Sequence, residues 1–261
     1  MAVLAFIGPR RLPESYMKQK EKEELYKELE IFKKNSIEKL SDLDKNYHQL
    51  LRLRFENGQT SAADSLFSFW MRFKNPTMAC LAIAERAQNS GNKEDYHSAF
   101  EVMQAALDLP DDEGQSYILL TLKELAEKTL ASDSMDIEAQ VAMAIVETRS
   151  EGMPMQGILR LKRILEYDPQ NVKVLVQLGH FSIMSGKYDK ALERYLSAYE
   201  ADSSDPSTIF YLAETYARLS KPDDALHWLN KLLIREKNKE TLQSILTYFK
   251  ENYNIEKTHN P

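Results

Sequence analysis

A 34-residue period runs through the second half of this 261-residue chain. Gly157, Ala191 and Ala225 stand 34 residues apart, as do Ile158, Leu192 and Leu226. Leu161, Tyr195 and Leu229 keep the same interval, and so do Ile164, Ala198 and Leu232. Leu178-Gly179 is matched by Leu212-Ala213, and Asp168-Pro169 by Asp202-Ser203. Each block turns near its middle, at Gly152, Gly186 and Ser220. Pro154, Pro206 and Pro222 stand at or beside helix starts, where a missing N–H costs least. A period of this length specifies a stack, because one repeat cannot bury its apolar face alone. The three blocks are residues 138–171, 172–205 and 206–239.

Composition agrees with helices. Eight Gly and nine Pro are too few for a turn-rich all-β fold. A hydrophobic content of 43% excludes wholesale disorder. The single cysteine excludes a disulfide framework and any multi-cysteine metal site. Lys and Arg total 34 against 40 Asp and Glu, a net charge of −6, which argues against nucleic acid as a main partner.

Upstream of the repeats, residues 16–56 hold neither Gly nor Pro and read as a long amphipathic helical segment. Its stripe is Leu25, Leu29, Phe32, Ile37, Leu40, Leu43, Tyr47, Leu50 and Leu51. A single helix of that length would reach about 60 Å. Ser41-Asp-Leu-Asp44, however, is a capping-box pattern that would start a second helix. The stripe either docks on its own chain or pairs with a second copy. In the second case the product is a self-assembling homo-oligomer, which Glu at Leu29 and Leu43 would break. Residues 1–58 carry 12 basic and 10 acidic side chains, a charge of +2, too small for a nucleic-acid arm.

The first segment, residues 1–15, opens with six apolar residues, Ala2 to Ile7, followed by Arg10 and Arg11. About 20 apolar residues are needed to span a bilayer, so the chain as given is expected to be soluble and cytoplasmic. Apolar residues meeting arginines also fit the tail of a membrane anchor. Residues 1–11 are then the expected route to membrane association, with the body on the cytoplasmic side.

Residues 59–134 break into short helical runs at Asn57-Gly58, Asn75-Pro76, Gly91 and Pro110, and read as a degenerate helical-repeat region. Phe67, Trp70, Met71 and Phe73 cluster on one run and are expected to be core. Residues 239–254 form an expected capping helix with Leu242, Ile245, Leu246 and Phe249 inward, before a polar tail at 255–261.

A 34-residue unit of two helices resembles the tetratricopeptide repeat (TPR) family. The segment from Leu178 to Asp202 carries most of that family's pattern, with Gly179, Tyr188, Ala191, Leu192, Tyr195 and Ala198 in place. The neighbouring blocks depart from it: Gly157 stands for the usual Ala, Ala213 for the usual Gly and Pro222 for the usual loop Tyr. The resemblance implies an all-α fold, a right-handed superhelix of helical pairs (a TPR solenoid) preceded here by a long amphipathic helix. More loosely, the chain is similar to short bacterial TPR proteins with a membrane-proximal helix that assist envelope complexes.

In that family the first helix of each repeat lines a concave groove. Matched positions imply Ala142, Val146 and Arg149 from the first block. They imply Val176, His180, Ile183 and Met184 from the second, and Ser207, Phe210, Glu214, Ala217 and Arg218 from the third. The Lys, Asn and Arg set with which some relatives hold carboxylates is replaced by Val176, His180, Ser207 and Tyr211. Capture of acidic chain ends is therefore not expected. The groove suits the apolar side of an amphipathic helix or an extended apolar segment, and Phe210 is the expected anchor. The competing expectation is that the chain's own amino-terminal helix fills it.

Catalysis has no motif behind it. His48, His97, His180, His227 and His259 form no metal pattern. Phosphate loops and nucleophile elbows are missing. Cys80 lies in an apolar helical run and reads as core. The expectation is a non-enzymatic protein-binding scaffold or adaptor with no cofactor.

Overall fold

A computed structural model describes residues 14–107, 109, 114–149, 154–235 and 237–255, with side chains from residue 21 onward apart from residue 154. Among the described residues there are thirteen helices and no strand. The chain divides into two units, Met1–Asp133 and Ser134–Pro261.

The first unit contains α1 (Glu14–Glu38), α2 (Asp42–Glu56), α3 (Ala62–Arg72), α4 (Pro76–Ser90), α5 (Lys93–Leu107) and α6 (Gln115–Ser132). The amphipathic segment is thus two helices. Ser41 divides them: its hydroxyl oxygen accepts from the Asp44 N–H at 3.2 Å and donates to the Asp44 carboxylate at 2.6 Å. α1 lies against its own unit. Leu29 is buried, the Phe32 ring meets Tyr117 at 5.2 Å, Asn75 donates to Ser36 at 3.1 Å and Lys22 pairs with Glu124 at 3.0 Å. The core of the unit joins Leu51 and Phe55 of α2, Leu66, Phe69 and Trp70 of α3, and Ala79 of α4. In the aromatic cluster Trp70 is core as expected, but Met71 and Phe73 lie at the surface.

The second unit contains α7 (Ile137–Arg149), α8 (Pro154–Tyr167), α9 (Val172–Met184), α10 (Tyr188–Ala201), α11 (Pro206–Arg218), α12 (Pro222–Arg235) and α13 (Lys239–Tyr253). These pack as pairs, α7 on α8, α9 on α10 and α11 on α12, and α10 also packs on α11. Small residues allow the crossings. A Cβ on Gly179 would strike the Tyr195 ring. One on Gly157 would strike the Ala144 carbonyl and the Thr148 hydroxyl, which is why glycine replaces alanine at this departure from the family pattern. The middle turns use left-handed backbone at Gly186 and Ser220.

Each first helix of the second unit starts on an acidic or amide cap, and these caps form a second periodic signal. Asp136 accepts from the Ala139 N–H at 2.8 Å, Asn171 from Val174 at 3.0 Å, Asp205 from Thr208 at 2.8 Å and Asn238 from Thr241 at 3.1 Å. They stand 35, 34 and 33 residues apart. The first interval thus carries one residue more than the period. Asp205 also accepts from the Ser207 N–H at 3.1 Å and the Thr208 hydroxyl at 2.5 Å. Asp205→Ala is expected to cost about 1–2 kcal/mol, read as a lowered urea midpoint with an unchanged slope.

Candidate protein-binding face

The first helices α9, α11 and α13 lie side by side in the second unit, tied by ring contacts. His180 of α9 stands edge-on to Tyr211 of α11 at 4.5 Å and 80°. Tyr211 in turn stacks on Tyr195 of α10 at 5.4 Å and 24°. Phe210 meets Tyr248 and Phe249 of α13, each at 5.6 Å. Val176 and Ile183 are half-buried against the same cluster. Met184, at the end of α9, is 56% exposed, and Ser207 is exposed in the first turn of α11.

The matched α11 residues after Ser207 also make contacts within the chain. Glu214 Oε1 accepts from the Tyr248 hydroxyl at 2.7 Å and the Tyr253 hydroxyl at 3.1 Å. It also accepts from Arg218 Nη2 at 2.8 Å and Nε at 3.3 Å. Burial, together with the Glu214 carboxylate, pushes the Tyr248 phenol up, so it stays a protonated donor. Burial, with the neighbouring Tyr248 hydroxyl and Glu214 charge, pushes Tyr253 up as well. Arg218 lies over the Tyr253 ring at 5.9 Å. Phe210, Glu214 and Arg218 therefore seat the chain's own carboxyl-terminal helix, and Ala217 is half-buried within the same cluster. The expected anchor Phe210 is part of this packing, so its replacement by Glu would not leave the fold intact.

Two first-block residues are also relocated. Ala142 and Val146 are only 2% and 5% exposed. α7 buries an unbroken run, Val141 to Val146, so these two side chains offer almost no surface. Arg149 is half-buried at the end of that helix. Of the expected set, Val176, His180 and Met184 share one line along α9 with Ile183 beside them, and Met184, Ser207 and Arg218 are exposed.

In the first unit a cavity of about 820 Å³ opens between α1 and the faces of α2, α3, α4 and α6. Arg52 holds Glu85 through two bonds of 2.5 and 3.0 Å and approaches Glu56 at 3.4 Å. His48 is buried edge-on to Trp70 at 5.2 Å. Burial and the Arg52 charge lower its pKa, so the imidazole is neutral. The charges in this cavity are matched within the chain, and the arrangement is structural. Cys80 is buried, with its Sγ 3.8 Å from the Val102 carbonyl. Among the described residues no three His, Cys, Asp or Glu side chains gather as metal ligands, and no helix is long and apolar enough to cross a membrane. The anchor expectation for residues 1–11 lies outside the described residues, as does His259.

Comparison with known proteins places this architecture. The chain is 25% identical over 171 residues to tetratricopeptide repeat protein 8 of Caenorhabditis elegans, an alignment covering 64% of the chain and 31% of that relative. It thus spans less than a third of the relative's length. Among solved structures it is similar to a TPR protein of Thermus thermophilus (TM-score 0.49, 14% identity, 71% of this chain and 95% of that one). It is also similar to PilW, a type IV pilus biogenesis factor (TM-score 0.41, 17% identity, 79% and 100%). The model of a tetratricopeptide repeat family matches residues 34–248, well over half of the chain. With the 34-residue period, the paired helices and the Gly179–Tyr195 crossing, this match shows that the chain belongs to the tetratricopeptide repeat family.

Proposed function

We propose that this protein is a non-enzymatic scaffold that holds a short apolar segment of another protein on the α9 side of the first-helix face. The observation that carries this reading is the uneven cover of that face. α13 packs on Phe210 on the α11 side, while Met184 stands out beside Ile183 and the His180–Tyr211 pair. An exposed methionine next to half-buried aliphatic and aromatic groups fits an apolar side chain of an amphipathic helix or an extended strand. The positions that would need Lys, Asn and Arg to hold a carboxylate carry Val176, His180 and Ser207, so acidic chain ends are poor ligands.

Met184 supplies a cleaner test than Phe210, because it is exposed and outside the seat of α13. Wild-type and Met184→Glu protein are used as baits on soluble and membrane fractions of the source cell. The expected result is a partner recovered about tenfold less by the variant, with identical helical content in both baits. Equal recovery by both baits removes the α9 face as the binding surface.

A further inference from the structure

The richest exposed apolar stripe in the described residues is on α2. Leu43, Tyr47, Leu50 and Leu53 are all exposed, Leu43 to 80%, and no other described helix exposes four large apolar side chains. At 3.6 residues per turn, Leu43, Tyr47, Leu50 and Arg54 fall on one line along the helix. The adjoining line, His48, Leu51 and Phe55, is buried in the core of the unit. The stripe is therefore distinct from the docking face of α2. Tyr47 of the stripe rests on the buried ring of Phe69, at 6.0 Å, which also meets the surface ring of Phe73, at 4.9 Å.

The charges along this helix are self-complementary. Asp44 is engaged with Arg72 at 3.1 Å, and Arg52 with Glu85, both within the chain. Asp42, in the first turn beside Leu43, and Arg54, in the last turn on the line of the stripe, are both exposed; Asp42 also lies 3.9 Å from Lys45 of its own helix. Two α2 helices placed antiparallel about a two-fold axis beside residue 48 bring Asp42 of each copy level with Arg54 of the other. The same axis sets Leu43 against Leu53 and Leu50 of the second copy and Tyr47 beside Leu50. Their helix dipoles then oppose, which also favours the pair.

We infer that α2 is the contact of a weak two-fold homodimer, with a second copy of this chain laid antiparallel on the Leu43–Tyr47–Leu50 stripe. This inference does not depend on the α9 face. One helix and a neighbouring ring form a small interface, so the Kd is on the order of 10–100 µM.

Sedimentation velocity of the full chain over a concentration series tests it. The wild type is expected to pass from one to two chain masses across that range. Leu43→Glu is expected to raise the Kd at least about tenfold by placing a charge in the apolar seam. Asp42→Arg is expected to weaken the dimer several-fold through its contact with Arg54, and the double variant Asp42→Arg, Arg54→Asp to restore it. All three side chains are exposed, so circular dichroism is expected to show wild-type helical content in every variant, with a slightly lower midpoint where Asp42 and Arg54 are reversed at the helix ends they suit. A wild type that stays at one chain mass up to about 1 mM overturns the inference and leaves the stripe to a different protein. So does a dimer that persists in Leu43→Glu, or a double swap that fails to restore pairing.

Discussion

Gly179→Leu lowers the melting temperature of the second unit by roughly 10 °C. The side chain at 179 points into the crossing of α9 and α10, where even a Cβ strikes three atoms of the Tyr195 ring. That ring cannot yield. Tyr195 is fully buried, stacked on Tyr211 at 5.4 Å and met by the edge of His180 at 5.9 Å. Arg194 holds the same crossing from the side, donating to the Leu178 carbonyl at 2.6 Å and to the Ser182 hydroxyl. Four added carbons must therefore push two helices apart, a strain of about 3 kcal/mol or more. Thermal denaturation followed by circular dichroism measures it, and an unchanged midpoint would contradict the crossing itself.

Phe249→Ala acts differently, because it strikes the end of the stack. Phe249 has no solvent exposure and is the only residue of α13 in its fully buried core. It packs on Phe210 at 5.6 Å and Tyr253 at 5.9 Å. Truncating a buried phenylalanine costs about 3–5 kcal/mol. Repeat stacks couple mainly to nearest neighbours, so most of that cost falls on local opening of α13. Hydrogen exchange is expected to show α13 amides losing protection while those of α9 and α10 keep theirs. Uniform loss across the unit would mean that α13 is an integral part of one cooperative core rather than an end piece.

The repeats were legible because small and large residues alternate at fixed offsets in the sequence. Gly179, Ala191 and Tyr195 mark a crossing whose geometry any chain of this kind must meet. The break at Ser41 was legible for the same local reason, since a cap bonds to residues three positions away. Glu214, Tyr248 and Tyr253 form a cluster only because α13 returns alongside α11, bringing together groups 34 and 39 residues apart. No local pattern records that return. Family positions alone pointed Phe210 and Arg218 toward a partner, whereas the chain supplies its own helix there. The burial of Ala142 and Val146 did have a signal, the unbroken apolar run from Val141 to Val146, which outweighs a face assignment made by matched position. Leu29 and Leu43, which share one stripe in the sequence, part company at Ser41: one is buried in its own unit and the other stands in solvent.

The caps at Asp136, Asn171, Asp205 and Asn238 bear on how such a chain can change length over evolutionary time. Each first helix carries its own start signal, a side chain bonded to backbone within three residues. Register is therefore reset at every repeat instead of being inherited from the one before. Excising or duplicating the stretch from one cap to the next leaves both new junctions with a working start and the same small-residue crossing on either side. Adding or dropping whole units therefore keeps every crossing at its distance from its cap, while an insertion within a unit changes that distance in its own unit alone. The 35-residue first interval shows that one extra residue is absorbed, because the next cap corrects it.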